Sequence, residues 1–168
     1  MQLLLDTHVW LWWFLEPRRL SDRAKGLIAG DDHTLLFSAA SSWEIALKYA
    51  LKKLKLPEAP ARFVPDRIAR HAMTPLPIQH SHALRVSELP RHHSDPFDRL
   101  LIAQAQLEPA IILTADPSFI LYEVDILWAG TGEPPSLVSE WNARRTKGRR
   151  APVRRRRAGS RRGAAHPK

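Results

Sequence analysis

Residues 2–5 read QLLL, and Asp6 follows them directly. A short apolar run without polar alternation is typical of a strand that is buried on both faces, as strands of parallel sheets are. Two more runs of this kind lie downstream, Thr34–Phe37 (TLLF) and Ala110–Leu113 (AIIL), and a weaker one spans Val124–Trp128. These four segments predict a sheet, with Asp6 at the carboxyl end of its first strand.

The segments between these strands have the length and the end signals of helices. The predicted helices are a first one capped by Thr7 and ending near Glu16, then Ser21–Ala29, Ala39–Leu51, Ala59–His71, Ser81–Leu89 and Asp95–Glu108. Pro65 interrupts the fourth, which we expect to start or bend there. Met73–Ile78 is extended, but its two prolines exclude a central position in a sheet. Strands that alternate with helices predict an α/β fold with a parallel sheet covered on both faces.

The charge of the chain is divided between two parts. The 168 residues are enough for about one domain, and 44% of them are hydrophobic. Residues 1–141 hold 14 Lys and Arg against 17 Asp and Glu, a net charge of −3, whereas residues 142–168 hold 12 basic and no acidic residues. We therefore predict a folded domain over residues 1–130, a linker over 131–141 and a disordered Arg-rich tail over 142–168.

Several classes of protein are excluded by what the sequence lacks. The chain has no cysteine, which excludes a disulfide scaffold, a thiolate zinc site and a cysteine nucleophile. Its most apolar stretch, Val9–Leu15, has seven residues, whereas a membrane span needs about 20. No basic segment of the kind that opens a signal peptide precedes it. We expect a cytoplasmic protein without a membrane segment.

Four carboxylates stand where a ligand site of an α/β protein is usually found. Asp6 and Asp116 follow predicted strands, and Glu44 and Asp98 lie in the first turns of predicted helices. Ligands of parallel sheets bind at the carboxyl ends of the strands, so the four side chains could share one pocket. Carboxylates held together repel one another unless a cation is present, and Mg²⁺ prefers oxygen ligands. Such a site suits phosphodiester hydrolysis, although each carboxylate alone is more often a cap or turn residue.

Four segments match the motifs of a known family, in the family's order. They are LLLDTHVWLWW at 3–13, SAASSWEIALKYALKKLKLP at 38–57, HHSDPFDRLLIAQA at 92–105 and ILTADPSF at 112–119. On these motifs the chain resembles the PIN-domain ribonucleases, and more closely the VapC-type toxins of toxin–antitoxin pairs. The resemblance covers about residues 1–130, and it implies a PIN-like three-layer α/β/α sandwich with a central parallel sheet.

The resemblance also implies roles for individual residues. It implies a metal site formed by Asp6, Glu44 and Asp98, with Asp116 as a fourth, more variable catalytic acid. It implies that Thr114 lies near the metal, and the neighbouring Thr7 and Ser41 are candidates for supporting roles. Three further side chains are candidate RNA contacts, namely Lys48, Arg99 and His93. Each has an ordinary alternative, an ion pair or a surface position for example.

The activity that the resemblance implies is Mg²⁺- or Mn²⁺-dependent cleavage of RNA. It further implies a homodimer that a cognate antitoxin protein neutralises. A phosphatase with an Asp nucleophile is excluded, because its usual motif needs a second Asp where this chain has His8. Two alternatives stay open, a PIN-domain nuclease of RNA maturation and a non-catalytic RNA-binding module.

An aromatic cluster at Trp10–Phe14 is expected to be mainly core, and Trp12 is a candidate dimer or antitoxin contact.

Overall fold

A wholly parallel sheet of five strands forms the middle layer of the protein. The computed structural model describes residues 1–136 and 138–140. The strands are Gln2–Leu5 (β1), Thr34–Ser38 (β2), Thr74–Leu76 (β3), Ile111–Thr114 (β4) and Ile126–Trp128 (β5). Their order across the sheet is β3-β2-β1-β4-β5. The first strand of the chain is therefore the middle one, and β3 with its Pro75 lies at an edge, as its prolines predict.

Helices connect the strands and lie on both faces of the sheet. The α-helices are Thr7–Leu15 (α1), Asp22–Ala29 (α2), Ala39–Ala50 (α3), Pro60–Arg70 (α4), His80–Glu88 (α5) and Pro96–Leu107 (α6). Two short 3₁₀ helices, Pro17–Arg19 and Pro117–Leu121, complete the named helices of the described residues. The second of these is absent from the sequence-based prediction.

Alternating side chains of β1 divide the core into two layers. Leu3 and Leu5 point to the face covered by α1, α2 and α4, where Trp10 is buried. Leu4 points to the opposite face, which α5 and α6 cover. Because period-two alternation sends successive residues to opposite faces, three leucines in a row serve both layers. This confirms the predicted three-layer α/β/α sandwich.

Two local predictions are corrected. The sequence predicts that the fourth helix starts or bends near Pro65, but it begins at Pro60 and continues to Arg70, which excludes a start at Pro65 and leaves a bend there a prediction. Pro65 lies early in this helix, where its missing N–H costs only one intrahelical hydrogen bond. The cap of α1 is Asp6 rather than Thr7, because the carboxylate of Asp6 accepts the hydrogen bond from the backbone N–H of His8.

The segment after β5 stays attached to the domain. The backbone of Thr131 donates a hydrogen bond to the carbonyl of Arg19, and Val138 is fully buried in the α5/α6 layer. At least Val138 of the predicted linker therefore packs on the core. The predicted Arg-rich tail, 142–168, lies outside the described residues, and the domain boundaries remain a prediction.

The aromatic cluster Trp10–Phe14 of α1 belongs largely to the core. Trp10 packs against Phe37 with 4.5 Å between ring centroids and is inaccessible to solvent. Trp12 is half-buried, and the guanidinium carbon of Arg19 lies over its ring, 4.0 Å from the ring centroid. Among the described residues, no helix is both long and apolar enough to cross a membrane.

Truncation of the central strand tests the importance of this core. We expect Leu4→Ala to lower the free energy of unfolding by about 2–5 kcal/mol, because it removes a fully buried side chain and leaves a cavity. The matched control is Leu84→Ala on α5, where the side chain is 70% exposed and the change should stay within about 0.5 kcal/mol. Urea unfolding of both variants measures the difference. Equal destabilisation by the two substitutions would contradict this account of the core.

Candidate active site

Three buried carboxylates meet at the carboxyl edge of the sheet. Asp6 follows β1, α3 brings Glu44 just after β2, and α6 runs back toward the start of β4, so that its first turn places Asp98 at the same edge. The exposed fractions of the three residues are 2%, 2% and 8%. Burial, followed by the charges of Asp6, Asp95 and Glu44, raises the pKa of Asp98 to about 8. Asp6 and Glu44 are thus close enough to Asp98 for their charges to act on it, and the shared pocket of four carboxylates stays a prediction.

Asp6 is held in place on two sides. One carboxylate oxygen, Oδ1, accepts the backbone N–H of His8 at 2.9 Å, and the other, Oδ2, accepts the hydroxyl of Thr114 at 2.6 Å. The Thr114 oxygen in turn accepts the backbone N–H of Asp116 at 3.0 Å. This hydroxyl therefore links the ends of β1 and β4. The imidazole of His8 stands 3.6 Å from Oδ1, and its pKa is raised chiefly by hydrogen bonding to Asp6.

The residues adjacent to these acids bind the elements together. The Thr7 hydroxyl donates to that of Ser41 at 2.8 Å, and both residues are buried. The pair joins α1, which follows Asp6, to α3, which carries Glu44. The supporting role of Thr7 and Ser41 stays a prediction.

Glu44 has one satisfied and one unsatisfied oxygen. The ammonium of Lys48 donates to Oε1 at 2.5 Å. Burial alone would lower the pKa of Lys48, but its hydrogen bond to Glu44 and the nearby acids outweigh burial and raise it. The second oxygen of Glu44, Oε2, is buried and has no hydrogen-bond partner among the described residues. A buried carboxylate oxygen without a partner is costly unless something else fills that position.

His93 connects Asp98 to Asp116. Its Nε2 lies 3.3 Å from an oxygen of Asp98 and 3.2 Å from one of Asp116, while its Nδ1 accepts the backbone N–H of Asp95. Since Nδ1 is an acceptor, the ring proton belongs on Nε2 and faces the carboxylates. Burial acts to raise the pKa of Asp116, but hydrogen bonds from Ser118 and His93 hold it below its usual value.

These residues fit a divalent cation. One sign is the buried Oε2 of Glu44, which has no partner among the described residues, and another is the raised pKa of Asp98, which shows that burial and the neighbouring acids disfavour its charge. In addition, donor atoms of His93, Asp98 and Asp116 all lie within 4.8 Å of one another. Asp98 is common to this set and to the set predicted from the sequence, Asp6, Glu44 and Asp98. A hard cation with oxygen ligands is what such a donor set favours.

The sequence did not predict the partners of His93 and Arg99. His93 was predicted as an RNA contact, and its contact with Asp116 spans 23 residues, so no local pattern reveals it. Arg99 donates instead to the carbonyls of Val86, Leu89 and Pro90, at the end of α5. Its guanidinium thus fixes the chain between α5 and α6, and its contact with RNA stays a prediction. Asp95 caps α6 through the backbone N–H of Phe97, as predicted.

Comparison with known proteins assigns the family. The family model described as the PIN domain matches residues 3–125. The chain belongs to the PIN-domain family. It is 41% identical over 69 residues to the protein named Ribonuclease VapC16 of Mycobacterium tuberculosis, covering 39% of this chain and 49% of that protein. The chain thus matches about half the length of this relative.

Further likenesses cover more of the domain. Identity to Ribonuclease VapC22 of Mycobacterium tuberculosis is 37% over 105 residues, covering 61% of this chain and 78% of the relative. The crystal structure of VapBC2 from Rickettsia felis, bound to a DNA fragment from their promoter, contains a chain with a similar fold. The two chains superpose with a TM-score of 0.59 at 15% sequence identity, and the match covers 77% of this chain and 99% of that one. At this identity the likeness supports the fold alone.

Neutralising Asp98 should stabilise the metal-free protein in a pH-dependent way. A folded-state pKa of about 8 lies above the ordinary value of Asp, so the stability associated with this proton is complete below the ordinary value and is lost as pH rises through about 8. Asp98→Asn removes that loss. In EDTA we expect its melting temperature to match the parent near pH 4 and to exceed it by about 5 °C or more near pH 9.

The control for this prediction is Asp66→Asn on α4. The hydrogen bond from Arg70 holds the pKa of Asp66 below its usual value, so neutralising it should not raise the melting temperature at any pH. Thermal melting across a pH series measures both variants. A gap between Asp98→Asn and the parent that does not change with pH would contradict the assignment of a destabilising charge to Asp98.

Proposed function

We propose that the protein is a metal-dependent endoribonuclease and the toxin of a toxin–antitoxin pair. The observation that carries the proposal is the burial of three acids from distant segments, Asp6, Glu44 and Asp98, with the charges of the first two acting on the third. In addition, one buried oxygen of Glu44 has no hydrogen-bond partner among the described residues. Helix caps and turn residues do not need to converge or to be buried together. Membership of the PIN-domain family and relatives named as ribonucleases support RNA as the substrate.

Mg²⁺ is the proposed cofactor, with Mn²⁺ as the alternative. Asp6, Glu44 and Asp98 would hold it, and His93 and Asp116 lie close to Asp98. When bound, such an ion activates water, orients the scissile phosphate and neutralises the charge that develops on it. The four acids are the proposed catalytic residues, and Asp116 is the one whose removal should matter least, because it is only half-buried.

The protein's own residues position the acids and manage their protons. Thr114 and the backbone of His8 fix both oxygens of Asp6, and Lys48 neutralises one oxygen of Glu44 while leaving the other open. Without a cation, the Nε2 proton of His93 sits between Asp98 and Asp116 and relieves their repulsion. The lysine also offers a positive group at the rim, where it can contact an RNA phosphate.

Substitution of the acids tests the catalytic part of the proposal. We expect Asp6→Asn, Glu44→Gln and Asp98→Asn each to lower RNA cleavage in Mg²⁺ by at least about 100-fold, since each loses a ligand for the ion, and excess EDTA to silence the parent. The control is Asp22→Asn on α2, whose side chain is 99% exposed and which should keep full activity. Undiminished cleavage in EDTA would refute the metal dependence.

The same variants separate the alternatives in cells. A toxin arrests growth when produced without its antitoxin, and the three substitutions should relieve the arrest. A non-catalytic RNA-binding module would keep its effect in all three variants. A nuclease of RNA maturation would cleave RNA without arresting growth and without a small antitoxin gene beside its own. We further propose that the protein is cytoplasmic and forms a homodimer.

An exposed apolar stripe on α3 is the proposed antitoxin contact. Trp43, Leu47 and Leu51 follow one another at the spacing of a helix face, with exposed fractions of 57%, 40% and 55%. Trp43 contacts the ring of Phe97 on α6 edge-on, at 4.9 Å between centroids. The stripe thus begins beside Glu44 and Asp98, so a helix that covers it can place a basic side chain in the acidic pocket.

Truncation of the stripe tests this contact. We expect Trp43→Ala to weaken antitoxin binding by at least about tenfold, because exposed tryptophans that become buried in an interface are frequent hot spots. Leu84→Ala on α5, another strongly exposed apolar position, serves as the control and should leave the affinity unchanged. Titration of each variant with the antitoxin measures the affinities. Equal affinity of Trp43→Ala and the parent would place the antitoxin elsewhere.

A further inference from the structure

A cleft with a basic lining lies next to the acidic pocket. It encloses about 660 Å³ between the end of α5 and the start of α6. None of its lining residues is acidic, and the polar ones are Ser87, Arg91, His92, His93, Ser94 and Arg99. Glu88, the acid nearest to it along α5, is engaged in an ion pair with Arg85 at 2.5 Å. The cleft is therefore suited to an anion.

His93 is shared by the cleft and the acidic pocket. It lines the cleft, and its Nε2 lies 3.3 Å from Asp98. An anion in the cleft is therefore separated from the carboxylates by a single side chain. This places the cleft within reach of the nucleotide next to one that is bound at Asp98.

The two arginines of the cleft are prepared in different ways. Arg99 is fixed, because its guanidinium donates to the carbonyls of Val86, Leu89 and Pro90, so its charge belongs permanently to the wall. Arg91 is exposed and makes no hydrogen bond or ion pair with any described residue. A fixed charge beside a free guanidinium is a favourable arrangement for a phosphate, to which arginine can donate two parallel hydrogen bonds.

We infer that this cleft binds a phosphodiester of the RNA strand adjacent to the one that is cut, with Arg91 as its principal contact. The inference rests on the proposed function. An acidic pocket repels the polyanion that it must bind, and only the phosphate at the cation is compensated there. Positive charge one nucleotide away offsets that repulsion for the flanking phosphate, and it fixes the strand without reading its bases.

The salt dependence of RNA binding tests this contact in the full-length protein. The probe is a labelled, mixed-sequence single-stranded RNA in EDTA, where no cleavage occurs. Each phosphate contact contributes about 0.7 to the slope of log affinity against log salt for a single strand. We expect Arg91→Gln to reduce the slope by about 0.7 and to weaken binding mainly at low salt, while Arg91→Lys keeps the slope.

The matched control removes the same charge from the other face of the sheet. Arg23 is exposed on α2, which packs in the layer opposite to α5 and α6, and Arg23→Gln should leave the slope unchanged. Unaltered melting temperatures establish that the variants are folded. In Mg²⁺, Arg91→Gln should raise KM for RNA cleavage with little change in kcat, because the contact is uniform in ground and transition states.

The outcomes distinguish this inference from the function on which it rests. If the parent neither binds nor cleaves RNA, both fail. If the parent cleaves RNA but Arg91→Gln has the same slope and KM as the parent, the cleft is not a phosphate site and the proposed function stands. Equal losses in Arg91→Gln and Arg23→Gln would show an effect of net charge alone. A loss of antitoxin affinity without a change in RNA binding would assign the cleft to the antitoxin. Each of these results overturns the inference.

Discussion

The position of β1 between β2 and β4 is the constraint on which the remaining structure depends. Its backbone pairs with both neighbours, in the registers Leu3 with Leu35 and Leu3 with Ile111. Asp6 follows as the next residue, and its backbone N–H donates to the carbonyl of Leu113 at 3.1 Å. The first acid of the site is thus held by the sheet ladder itself, with no intervening loop. A shift of one residue in this register would send the leucines to the wrong layers and Asp6 to the other face.

The site is costly to the fold that contains it. Burial and neighbouring charge disfavour the ionised form of Asp98, and no described residue donates a hydrogen bond to the second oxygen of Glu44. Each is a local conflict of the kind that folded proteins keep mainly at functional positions. The surrounding hydrogen-bond donors offset only part of the cost of burying these carboxylates. Both oxygens of Asp6 accept a hydrogen bond, whereas Lys48 satisfies only one oxygen of Glu44, so the other oxygen of Glu44 stays available to a ligand.

Much of the fold and part of the site follow from the sequence. Strand and helix order, the parallel sheet and the edge position of Pro75 were predictable, because apolar runs and prolines act over a few residues. The rule that parallel strands end at one edge predicted that Asp6, Glu44, Asp98 and Asp116 lie near one another. The charges of Asp6 and Glu44 do act on Asp98. The α1 cap was wrong by one residue, since a carboxylate and a hydroxyl in sequence are both good caps and tertiary contacts decide between them.

The roles of His93 and Arg99 depended on contacts that no local pattern encodes. Arg99 follows Asp98 in sequence, yet the helix turns its side chain toward the end of α5, where three carbonyls accept it. His93 lies five residues before Asp98 and reaches both it and Asp116. In each case the polar partner is fixed by how α5, α6 and the segment after β4 pack together. Long side chains are therefore predicted less well than the acids, whose short side chains stay close to the backbone that positions them.

Negative and positive groups around the site have different roles in binding a polyanion such as RNA. The three buried acids concentrate negative charge where a cation is needed, and Lys48 and the basic cleft lie on their flanks. A further 12 basic residues, with no acidic residue among them, lie in the segment 142–168. Only charges whose positions are fixed relative to the acids can align a particular phosphate. Alignment requires groups built on the same rigid elements as the acids, and α6 supplies both Asp98 and the anchored charge of Arg99.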